Sequence, residues 1–198
     1  MADLPVDAPL PARLAAWSQE RFPLAHAALF LVLYVTALLF GRFLTSDGPL
    51  TVDPLPDGAG FLAAWAFFLM LRVFDEHKDY ELDLQNHPQR VLQSGRVTLG
   101  HLKVLGGLAI ACQLGLSLAF DGGLGRVTST WILVMAWSTL MAKEFFVGAW
   151  LEKRLVLYAV SHMLVMPLAL LWMAQMGAPE ASLPPSVALL AGLSFFSG

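Results

Sequence analysis

Asp75, Asp79 and Asp83 stand four residues apart in the stretch VFDEHKDYELD (73 to 83). Five carboxylates fill the nine positions from Asp75 to Asp83, a third of the 15 acidic residues in the chain. On a helix, four residues turn through about 400° and rise about 6 Å, so the three aspartates climb one face with a slow drift. Like charges at that spacing repel by about a few tenths of a kcal/mol per pair, and aspartate is a poor helix former. Two arrangements offset these penalties. One is local pairing, Arg72 with Asp75 or Glu76 and Lys78 with Asp75 or Glu81, on a solvated helix end. The other is a divalent cation with Asp75, Asp79 and Asp83 as its ligands. Mg²⁺ suits such a ladder, because it binds through one or two carboxylates plus phosphate oxygens and keeps several waters. Zinc does not, since His77 and His87 lack ligand spacing and have no cysteine partner.

Cations follow the acids. NHPQRVLQSGRVTLGHL (86 to 102) reads as a loop through Pro88 and Gly95, and it returns Arg90 and Arg96 toward the helix end. Arginine is suited to bidentate phosphate contact. MAKEFFVGAWLEKR (141 to 154) adds Lys143. Each of these also has an ordinary reading, as a charge-rule arginine or a snorkelling lysine.

The elements that position these groups are apolar runs. The chain of 198 residues is 57% hydrophobic and 14% charged, with a mean hydropathy of +0.65, whereas soluble domains average about 25% charged. Leu24 to Phe40, Gly58 to Phe74, Val104 to Phe120, Val127 to Ala142 and Leu155 to Met176 approach or reach the roughly 17–25 residues of a transmembrane helix. None alternates with period two as a barrel strand does. The expected fold is an all-α, polytopic transmembrane bundle of about five full spans, followed by a shorter sixth run over Val187 to Gly198. Pro167 is placed to kink span five. Residues 1–22 form an N-terminal segment in which Leu10, Leu14 and Trp17 fall near helical spacing along the membrane interface, and residues 23–198 form the transmembrane domain. No signal peptide is expected at the N-terminus. Cys112 is the only cysteine and sits inside span three, where it packs.

Lys and Arg divide ten to two between alternate sides of such a bundle. The positive-inside rule puts the N-terminal segment and the acid cluster with the ten, on the cytoplasmic side. A net charge of −3 without a basic patch and interleaved aromatics gives no sign of nucleic-acid binding.

DEHKDYELDLQNHPQRVLQSGRVT resembles the first aspartate-rich motif and following loop of the UbiA superfamily of intramembrane prenyltransferases, written Asn-Asp-x-x-Asp-x-x-x-Asp and then Arg-Pro-Leu-x-x-Gly. Asp79 and Asp83 match the last two aspartates, Asp75 stands at the asparagine and Glu76 at the first aspartate. Arg90, Leu92 and Gly95 match the loop, with Val91 at its proline. Lys143 is similar to the lysine after the family's fourth helix, where Glu144 replaces a common arginine, and Pro167 to a proline in the fifth. The resemblance implies transfer of a prenyl group from a polyprenyl diphosphate to an aromatic or other lipophilic acceptor within the membrane. Mg²⁺ would sit on Asp75, Asp79 and Asp83, with Arg90 and Lys143 holding the diphosphate and Asp79, Asp83, Arg90 and Lys143 as the catalytic set. Phe68, Phe74 and Tyr80 are aromatic candidates for facing the carbocation. The family carries a second aspartate motif after its sixth helix, so the resemblance covers about its first two-thirds. The alternatives are a non-catalytic membrane protein that binds divalent cation or polyprenyl diphosphate, and a CDP-alcohol phosphotransferase. The second fails on spacing, because DGGLGR (121 to 126) has no carboxylate after it until Glu144.

Overall fold

Each full-length apolar run becomes helical, and among the described residues no strand forms. The computed structural model describes residue 5, residues 7–189 and residues 192 and 193. The short run over Val187 to Gly198 lies largely outside them. The elements are α1 (Leu10–Arg21), α2 (His26–Thr45), α3 (Pro54–Lys78), α4 (Tyr80–Asn86), α5 (Leu99–Asp121), α6 (Arg126–Ala142), a 3₁₀ turn (Glu144–Phe146), α7 (Gly148–Leu151), α8 (Leu155–Met163) and α9 (Val165–Gly177).

Local sequence sets the boundaries. Asp53 accepts from the Leu55 amide at 3.3 Å and Pro54 opens α3, a position that needs no N–H. Thr98 and His101 close a reciprocal capping box on α5. Gly122, with φ of 65°, ends α5 in the left-handed cap that glycine enters without steric cost. The Asp121 carboxylate then accepts from Val127 N at 3.1 Å and Thr128 N at 2.7 Å, capping α6 from the preceding helix. The break expected at Pro167 occurs one turn earlier. Proline offers no N–H to the carbonyl four residues back, and the helix interrupts at Leu164, between α8 and α9.

The stretches His26–Thr45, Pro54–Lys78, Leu99–Asp121 and Leu155–Gly177 are long and apolar enough to cross a membrane. The expected fourth span is α6, whose 17 residues reach about 26 Å at 1.5 Å per residue. Apolar side chains cover the outside: Leu29, Val32, Phe43, Leu108, Ile132 and Val156 are all exposed. An oily exterior around a packed interior is the arrangement of a helical integral membrane protein.

The helices pack α2 on α9, α9 on α6, α6 on α5 and α5 on α3, with α3 returning to α2. Tyr34, Leu38, Phe67, Met70, Trp172 and Met173 fill the middle. Two of its polar pairs join residues that sequence alone could not have matched: Trp172 Nε1 donates to Ser117 Oγ at 3.1 Å and Trp131 Nε1 to Gln113 Oε1 at 3.2 Å. Small residues let α2 and α9 approach closely. A side chain on Gly41 would collide with the Ala174 backbone, and one on Gly177 with the Leu38 carbonyl. The N-terminal segment is helical, as its spacing predicts, and it docks on the protein. Trp17 is 1% exposed and packs with Val91, Leu92, Val97 and Leu102, the turns before α5 and the start of α5 itself.

Candidate functional site

The acid stretch is a bent continuation of α3. The backbone departs from helical geometry at Asp79 (φ −94°, ψ 6°) and resumes as α4. The i to i−4 ladder nevertheless continues, with Asp79 N to Asp75 O at 2.9 Å and Asp83 N to Asp79 O at 2.8 Å, so the three aspartates keep their helical succession. Their environments differ. Asp75 is exposed, with the Arg72 guanidinium 4.0 Å away, and Asp79 is exposed with no ion pair among the described residues. Asp83 Oδ2 is held by Arg90 Nη1 at 2.6 Å and faces Arg21 Nη2 at 3.5 Å. The loop thus brings Arg90 back to the helix end as expected, and onto a carboxylate.

The buried acid is Glu76, 1% exposed. Its Oε1 accepts from Arg21 Nε at 2.6 Å and from Arg72 Nη2 and Nε at 2.6 and 3.0 Å, while Oε2 has no partner among the described residues. Local pairing of Arg72 with Glu76 was one of the two arrangements open from the sequence. Lys78 does not follow it. Its ammonium lies 2.8 Å from Glu144 Oε1 and donates to Tyr158 Oη at 2.8 Å, reaching across the bundle rather than along its own helix. Arg21 was missed altogether, although the spacing carried a signal. It stands four residues after Trp17, so a helix docked through Trp17 turns Arg21 to the same face.

Beside this network, between α3, α5 and α6, a cavity of about 450 Å³ opens at the same end of the bundle. Val73, Phe74 and Ile110 give it apolar walls, and Lys78, Lys103 and Lys143 line it from three different helix ends. Space at Gly107 contributes, since a Cβ there would meet nothing within 4 Å. Lys143 is where the sequence placed it, directly after α6. None of the described lining residues is acidic. The aspartate ladder therefore does not line this cavity. At roughly 100° per residue, Asp79 lies on the opposite side of the helix from His77, which lines the cavity. Asp75 borders the Lys78 edge, and Asp83 turns toward Arg21 and Arg90. Of the aromatic candidates, Phe74 lines the cavity, Phe68 stacks on Phe30 at 4.1 Å between centroids, and Tyr80 packs against the Trp17 cluster.

Among the described residues, no three Asp, Glu, His or Cys side chains gather into a metal-binding group. Asp75 and Asp79, adjacent on one face and exposed, fit an ion that takes one or two carboxylates and completes its shell with water and phosphate oxygens. Asp83 fits only if Arg90 leaves it. No family model, curated protein or solved structure matches this chain.

Proposed function

We propose that the chain binds a polyprenyl diphosphate in the lysine-lined cavity and transfers its prenyl group to a lipophilic acceptor, with Mg²⁺ as cofactor. The observation that carries this reading is the cavity, which sets three ammonium groups around apolar walls at one end of a membrane bundle. That is the complement of an anionic head on an isoprenoid tail. Lys78, Lys103 and Lys143 hold the head group, and Val73, Phe74 and Ile110 receive the first isoprene units away from water. Asp75, which borders the Lys78 edge of the cavity, is the residue that would hold Mg²⁺ against the head group, and the ion would supply neutralisation of charge on the departing diphosphate. Transfer breaks the carbon–oxygen bond to diphosphate, which keeps the electron pair. The acceptor provides the pair for the new bond and gives up a proton. Fixed cations lower the barrier because they meet charge that grows as the bond breaks, and the face of Phe74 is suited to the cation left on carbon.

In this reading α6 is a fifth crossing, since it returns from Arg126 to Lys143 along the height that α5 climbs. The lysine-rich end with the N-terminal segment is cytoplasmic in this reading, which the ten-to-two distribution of Lys and Arg supports.

The second reading is binding of polyprenyl diphosphate without turnover. It is favoured by the engagement of Asp83 with Arg90 and Arg21. One experiment separates the two. Purified protein in nanodiscs is titrated with farnesyl diphosphate with and without Mg²⁺, and membranes are assayed with radiolabelled prenyl diphosphates over a panel of aromatic and lipid acceptors. The transferase reading expects Mg²⁺-dependent binding lost in Asp75→Ala, together with label in an organic-soluble product. Tight binding that Mg²⁺ does not alter, with no product, establishes the second reading. Absence of binding removes both.

A further inference from the structure

At the end of the bundle opposite the lysines, a second cavity of about 520 Å³ lies between the start of α6 and the end of α9. Leu124, Gly125, Arg126, Ser129, Thr130 and Gln175 line it. α5 and the Leu155–Gly177 stretch are both long and apolar enough to cross a membrane, and the cavity lies where both end. Its polar groups divide by chemistry. Arg126 is exposed and has no ion pair among the described residues. The amides of Val127 and Thr128 are already capped by Asp121, so the guanidinium and not the helix end is what an anion would meet. The other lining side chains can only accept. Ser129 Oγ donates to Gly125 O at 2.7 Å, and Thr130 Oγ1 to Arg126 O at 2.9 Å. A hydroxyl whose proton is so engaged offers lone pairs alone. Gln175 is 4% exposed, and its Nε2 donates to the carbonyls of Ala178 and Ala181 at 2.6 and 2.9 Å. That fixes the amide and leaves Oε1 without a donor among the described residues.

We propose that this cavity binds the head group of a phospholipid bearing a primary ammonium, phosphatidylethanolamine, with the phosphate on Arg126 and the ammonium on Ser129, Thr130 and Gln175. A primary ammonium carries N–H donors and no acceptor, the complement of a wall whose hydroxyls and amide oxygen can only accept. The Asp121 carboxylate, which lies against Gly125, adds a field that favours a cation beside the phosphate. A choline head group has the same charges but no N–H, so it would leave those acceptors unmatched. The fold also favours a lipid over a free head group. Ile132 and Leu133 follow Ser129 by three and four residues, one turn further into the membrane on the same side of α6, and both are exposed. They give acyl chains an apolar track directly below the head group. Such a site stands apart from the lysine-lined cavity and does not depend on what that cavity binds.

The test titrates the full chain in detergent with phosphatidylethanolamine, its N-methyl and N,N-dimethyl forms and phosphatidylcholine, all with the same acyl chains. Bound lipid is counted by native mass spectrometry. Affinity is expected to fall stepwise as N–H groups are lost, by about tenfold over the series. Ser129→Ala combined with Thr130→Val removes two acceptors from the surface of α6 and leaves Gln175 to hold its carbonyls. That variant is expected to narrow the preference by weakening phosphatidylethanolamine alone. Arg126→Gln is expected to weaken both end members about tenfold, because each presents a phosphate to it. Lys143→Ala, at the other end of α6, is expected to change neither. Equal binding of phosphatidylethanolamine and phosphatidylcholine by the unsubstituted protein overturns the proposal, as does a preference that survives the hydroxyl variant at full size. Phosphatidylglycerol bound as tightly as phosphatidylethanolamine would reduce the site to a phosphate clamp and overturn the ammonium assignment. Glycerophosphoethanolamine that displaces the lipid at equal concentration would overturn the lipid assignment in favour of a free head group.

Discussion

Arg42 and Asp57, where α2 and α3 meet at one end of the bundle, face each other through two parallel hydrogen bonds of 2.8 and 2.6 Å. Arg42 also donates to the Thr51 carbonyl at 2.6 Å, and Asp57 accepts from the Asp53 amide at 2.8 Å. Both charges are satisfied and tie the α2–α3 connection shut. The opposite end is built differently. Among the described residues, Glu76 gathers two arginines on one oxygen and leaves the other without a partner, Asp75 and Asp79 stay exposed, and three lysines share a cavity in which only Lys78 has a carboxylate. A closed pair serves stability. Charges left open or multiply shared cost stability and are kept where something else completes them. The contrast supports the lysine-rich end as the place of the proposed chemistry.

The largest effect is expected from Glu76. Glu76→Ala leaves Arg21 and Arg72 facing each other at the base of α1 without their shared acceptor, at a cost of about 3 kcal/mol or more. Asp57→Ala breaks one pair and is expected to cost about 2 kcal/mol. Thermal midpoints in detergent check the order, and the comparison sharpens if ligand binding survives Asp57→Ala. Equal losses of binding in the two variants would break it, because the closed end would then matter to function as much as the open one.

Gly107→Leu acts on the open end alone. A Cβ at this position meets no atom within 4 Å, so the variant is expected to fold while its longer side chain narrows the cavity and weakens binding of a prenyl diphosphate. Titration alongside a melting curve reads both, and a variant that folds and binds normally would show that the ligand sits elsewhere.

The smallest effect is that of Lys143→Ala, which removes one of three cations and is expected to weaken diphosphate binding about tenfold. Arg126→Ala, at the far end of α6, is the matched control and is expected to leave affinity unchanged.

The oily runs, their lengths and Pro167 were enough to specify an all-α membrane bundle, because lipid permits few alternatives to a helix whose backbone bonds are internal. The helical succession of Asp75, Asp79 and Asp83 and the return of Arg90 were also legible, since both are local properties of a short stretch. What the aspartates face was not. Direction around a helix is settled by what packs on each side, and here α5 and α6 take one side of α3 while Arg21 of α1 and Arg90 take another. The partners Arg21–Glu76, 55 residues apart, and Lys78–Glu144 join elements whose adjacency exists only in the folded chain. The same holds for the cavity. Lys78, Lys103 and Lys143 are three ordinary basic residues at three helix ends, and only the packing of α3, α5 and α6 makes them one site.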